Sequence, residues 1–254
     1  MTTPALQRAV RRAHEVFGGH KAPNGPLNVC TSCCIPEELE REMRTWPLRM
    51  LTARHFYQYC TGAMADLVQP AAEVRYLLPR WLELVAAGEE THHSVELNLD
   101  RVGRCPAGSF TMEESSVLDE FMLAYFDHHL NGADGCGCGS DPLSLLIMAD
   151  AGGLALTPLL HHWTAHPGPA STVQFVRSTY WDFWPEQSLS NPFASDRDRL
   201  QAIVKDWMLA PATKAAFTAK LLNPDFLAHV TQVRCNHGVP LALMVEAVFD
   251  ALSH

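Results

Sequence analysis

Val74, Leu77, Leu78, Trp81, Leu82 and Val85 recur at i, i+3, i+4, i+7, i+8 and i+11. That spacing collects apolar side chains on one side of an α-helix and scatters them over both faces of a strand. Val117, Leu118, Phe121, Met122 and Phe126 repeat the pattern, and Leu241, Met244, Val245, Val248 and Leu252 repeat it near the C-terminus. No run of strand length alternates Val, Ile or Thr with polar residues. The predicted fold class is therefore all-α, an irregular array of about ten helices with a Cys-rich N-terminal loop.

Punctuation places the helices. Residues 4–17 form a basic amphipathic segment with Leu6, Val10 and Phe17 as inward anchors, and the Gly- and Pro-containing stretch 18–34 reads as a loop. Pro36 sets a first helical turn, with Glu37 and Glu38 at the positive end of the helix dipole. Thr52 caps a helix over 53–67, and the stripe at 74–85 contains Pro79, which should bend it. Thr111 and Glu114 have capping-box spacing ahead of a helix that Asn131-Gly132 ends. Apolar helices follow over 142–165, broken near Gly152, Gly153 and Pro158, then an aromatic-rich helix over 170–184. Pro211, Pro224 and Pro240 mark starts among four final helices, of which the last, apolar on more than one side, is expected to be central. The chain is expected to form one helical domain over 1–254, with 131–141 and 184–195 as the places where a division would fall.

Composition narrows the function classes. The net charge is −9, from 28 acidic and 19 basic side chains, which opposes general nucleic-acid binding through phosphate neutralisation. No stretch reaches the roughly 18–20 apolar residues that span a bilayer. Arg11-Arg12 is followed by His14 and Glu15 rather than an apolar run, so an export signal is not expected and the chain is placed in the cytoplasm. The eight cysteines are then read as reduced thiols.

Three of those thiols, Cys30, Cys33 and Cys34, fall within five positions. A C-x2-C pair presents two thiolates from one turn and suits a tetrahedral zinc-like ion; small buried thiols packing a loop are the simpler alternative. Cys136 and Cys138, in a glycine-dense loop, are the expected partners, which would make a closed structural zinc site; His20 and Cys105 are alternative donors. The histidine pairs 92–93, 128–129 and 161–162 are adjacent and do not face one another on a helix. His162 and His166 can share a face, but the H-E-x-x-H glutamate is missing and Pro167 follows. Asp119, Glu120 and Asp150 stand in apolar surroundings, Asp150 most usefully read as a helix-terminating acid. Tyr180, Trp181 and Trp184 form a dense aromatic run that could serve as a partner-binding surface or as core. No G-x-S-x-G elbow, Walker A or dinucleotide fingerprint occurs, and Cys60 reads as core rather than nucleophile.

The segments Cys30 to Glu38, Pro47-Leu-Arg-Met-Leu-Thr52, Tyr57 to Tyr59 and Arg75-Tyr-Leu-Leu-Pro-Arg-Trp-Leu-Glu-Leu84 resemble a family of uncharacterised bacterial proteins. The likeness covers about 30–85 and implies that Pro79, Arg80 and Glu83 belong to a shared helical element; it implies no activity. The expected function is that of a non-enzymatic protein that binds another protein, such as a toxin-neutralising immunity protein or effector adaptor, with structural zinc. The competing expectation is a metal-dependent enzyme in which Cys and His ligands leave one coordination position open.

Overall fold

A computed structural model of the protein describes residues 2–132, 141–233 and 238–253. Among these residues there are thirteen α-helices and no strand, as the all-α reading expects. They are α1 (Pro4–Phe17), α2 (Glu37–Thr45), α3 (Ala53–Thr61), α4 (Ala71–Ala86), α5 (Asp100–Gly103), α6 (Met112–Leu130) and α7 (Pro142–Ala151). There follow α8 (Thr157–Ala165), α9 (Pro169–Asp182), α10 (Asp198–Leu209), α11 (Pro211–Leu221), α12 (Pro224–Gln232) and α13 (Leu241–Ser253). The chain divides into two compact units, Met1–Tyr125 with Met148–Leu154, and Phe126–Ile147 with Ala155–His254. Among the described residues no helix is long and apolar enough to cross a membrane.

In the first unit α1 lies along α4. Its buried stripe is Leu6, Ala9, Ala13 and Phe17 rather than one through Val10, because two alanines let the helix approach closely on that face. Helix α4 runs unbroken through Pro79. Trp81 is fully buried, with Phe56 stacked at 6.2 Å and Tyr59 edge-on at 6.1 Å. Helix α3 stops at Thr61, six residues before the expected end, because Gly62 turns extended and the chain is recruited to pair with the cysteine loop. Gly103 meets the Ala151 carbonyl so closely that an added Cβ would lie 1.9 Å from the oxygen. The capping box at Thr111 forms in both directions: the Thr111 amide donates to Glu114 at 2.7 Å and the Glu114 amide to the Thr111 hydroxyl at 3.2 Å. Asp119 and Glu120 are exposed, not set among apolar groups, since they fall on the solvent side of the α6 stripe.

In the second unit the central helix is α9: every residue from Ser171 to Thr179 is buried. Helix α13 buries one face only, Leu241, Met244, Val248 and Leu252, and exposes Leu243, so the expectation that it is central is corrected. Around α9 stands an aromatic box. Trp163 stacks on Trp207 at 5.4 Å, Phe175 stacks on Phe217 at 3.5 Å, and Phe126 meets Trp163 edge-on at 5.8 Å.

Candidate metal centres

The cysteine loop is fastened from beneath by buried polar groups. The Asn28 amide donates to Glu73 at 2.8 Å; its side chain donates to the Asp66 and Val68 carbonyls and accepts from the Asp66 amide. Arg101, only 3% exposed, donates to the Asn28 carbonyl, the Gly62 carbonyl and Gln69, and lies 4.2 Å from the Tyr59 ring centroid. Gln69 and Tyr59 both donate to Glu73. The Cys30 amide donates to the Ala63 carbonyl, which explains the early end of α3. Leu27, Val29 and Ile35 are buried on either side of the thiols, so the loop has its own apolar anchors.

Within the loop, the amides of Cys34 and Ile35 both return to the Cys30 carbonyl. This turn puts three sulfurs together: Cys33 Sγ is 3.5 Å from Cys30 Sγ and 3.5 Å from Cys34 Sγ. Cys33 is exposed and the other two are half-buried. Zinc–thiolate bonds of about 2.3 Å in tetrahedral array separate sulfurs by about 3.8 Å, so the trio fits one ion with an expansion of a few tenths of an ångström. The contact with the Cys33 sulfur, together with the amides of Cys33 and Ser32, lowers the Cys30 pKa to about 7. Cys33, hydrogen-bonded with Cys34 and Cys30 and set between them, is raised to about 11. An ion would supply the positive charge needed to ionise the thiols.

Cys136 and Cys138, the expected partners, lie outside the described residues. His20 instead pairs with Glu114 at 3.0 Å, and Cys105 donates to the Arg101 carbonyl at 3.4 Å, so neither alternative donor joins the thiols. Burial pushes the Cys60 thiol up, in keeping with a core residue. Of the aromatic run, Trp181 is 55% exposed, while Tyr180 and Trp184 are half-buried.

A second group forms where the sequence reading set none. Asp127 Oδ1 is 2.7 Å from His162 Nε2 and 3.5 Å from His166 Nε2. Packing of α6 on α8 explains it: Phe126 abuts Trp163, so their sequence neighbours Asp127 and His162 are brought face to face. His166 follows one turn later, as the residue that ends α8. The i, i+4 histidine spacing was the available signal; the carboxylate 35 residues away carried none. No protein-family model, no curated protein and no solved structure matches this chain.

Proposed function

We propose that this chain is a metal-binding protein in which Cys30, Cys33 and Cys34 hold one thiophilic ion, zinc foremost, and that it works by contact with another protein rather than by catalysis. The observation that carries the metal reading is the mutual approach of three sulfurs to within 4.8 Å on a loop fixed from below by Asn28, Gln69 and Arg101. Those bonds tie the loop that carries the three thiols to Glu73 of α4 and Arg101 of α5. Among the described residues no fourth ligand atom joins the trio. The fourth position of a tetrahedral ion therefore falls to a donor beyond these three residues, and an exposed Cys33 leaves room for one carried by a partner.

Cobalt substitution tests the reading. The reduced protein should take up cobalt(II) with the thiolate-to-metal charge-transfer absorption of sulfur ligation. That band should vanish when Cys30, Cys33 and Cys34 are replaced together by serine. Binding should weaken as pH falls, because protons compete with the ion for the three thiolates. A chain that binds no cobalt through sulfur, or does so equally without these thiols, rules the site out.

A further inference from the structure

We propose that Asp127, His162 and His166 form a second, sulfur-free site for a divalent first-row metal ion. Two imidazoles and one carboxylate are the donor set that such ions take when coordination positions are left for water or substrate. All three ligand atoms lie within 4.8 Å of one another, with Asp127 Oδ1 at 2.7 Å from His162 Nε2 and 3.5 Å from His166 Nε2, so an opening of a few tenths of an ångström at the closer pair admits one ion with bonds of about 2.1 Å.

The surroundings resemble the support that metal ligands need. Asn131 donates from its side chain to Asp127 Oδ2 at 3.1 Å and to the Asp127 carbonyl at 2.8 Å. That leaves Oδ1 turned toward the histidines, an outer contact that fixes carboxylate direction. The aromatic box fixes α8: Trp163 is fully buried, and its indole donates to the Ser171 carbonyl at 3.3 Å. The two ring planes are inclined at 74° with centroids 5.7 Å apart, so both nitrogens can address one point. His166 is buried, while His162 and Asp127 are about a third and a quarter exposed, which gives an ion a way in.

Two features oppose binding and limit its strength. The Gly168 amide points to His166 Nδ1 at 3.2 Å, so in the metal-free chain the ring proton sits on Nε2. Coordination through Nε2 moves that proton to Nδ1, and the Gly168 contact must then open. Lys220 also acts on His166 by charge from its place on the Trp163 carbonyl. The site should accordingly bind with moderate affinity and tighten when Lys220 is neutralised.

The inference stands apart from the thiolate reading and is tested with that site removed. In the full chain carrying Cys30→Ser, Cys33→Ser and Cys34→Ser, zinc chloride titrated calorimetrically should saturate one site lost on Asp127→Asn or His162→Ala. Asn131→Ala should weaken it at least tenfold, and Lys220→Met should strengthen it severalfold. Cobalt in that site should show ligand-field bands without sulfur charge transfer. If the triple-serine chain does not fold, the same titration is run on the native chain with its accessible thiols alkylated. The proposal is overturned if the helical chain binds no zinc, or if binding survives both Asp127→Asn and His162→Ala. Loss of the thiolate site alone leaves it standing.

Discussion

Arg101 is a cation buried under an aromatic ring, with its charge passed through Gln69 to Glu73. Taking it away leaves the carbonyls of Asn28 and Gly62 without their donor and Glu73 as a buried charge with less compensation. Arg101→Ala should therefore destabilise the chain by about 3–5 kcal/mol, the usual cost of removing one partner from a buried charged network. Urea unfolding followed by circular dichroism measures it; a loss below about 1 kcal/mol would show that the network does not hold the loop. Nothing in the sequence around Arg101 announces this role, since Asn28 and Gln69 stand 73 and 32 residues from it. The three cysteines, by contrast, could be read as a group because one turn of chain joins them.

At the scale of the helix, the N-terminus of α6 was legible for the same reason: Thr111 and Glu114 are three residues apart and satisfy one another. What the sequence could not carry is that Glu114 also accepts from Arg75 at 2.8 Å and pairs with His20 at 3.0 Å. Burial works against the Glu114 charge, but the Thr111 amide, the Arg75 guanidinium and His20 together hold its pKa below the usual carboxylate range. A carboxyl with a lowered folded-state pKa contributes stability that is present above its unfolded value and lost as pH falls through the folded one. The stability gap between the native chain and Glu114→Gln should thus be widest near neutrality. It should close as pH drops below about 4, in thermal melts across that range. A gap independent of pH would assign the loss to packing. Helix ends set by distant pairing are not legible locally: the sequence predicts α3 to residue 67, yet it stops at Thr61, because the demand of the Cys30 amide for the Ala63 carbonyl has no local mark. Likewise α13 looked central by composition, yet α9, which carries Gln174, Arg177 and Ser178 among its buried residues, occupies that place.

Across the whole chain the two metal groups differ in how much folding they require. Cys30, Cys33 and Cys34 stay within five positions of each other in any conformation, so an unfolded chain still offers them to an ion. Asp127 and His162 are 35 residues apart and meet only through the packing of Phe126 on Trp163. That is why the first group was visible in the sequence and the second was not. An ion stabilises a fold by its preference for the folded form: about 2.7 kcal/mol at a hundredfold excess over its dissociation constant when the unfolded chain does not bind, and less when it does. Zinc should therefore raise the melting temperature of the native chain, under reducing conditions, by sums that the two sites do not share equally. Removing the second site with His162→Ala should abolish the larger part of that rise when each site is equally saturated. Removing the three thiols should abolish the smaller part, because their unfolded-state affinity offsets their folded-state affinity. The reverse order would mean that the thiols are held by the fold far more tightly than a single turn requires, and would point to a fourth ligand from elsewhere in the chain.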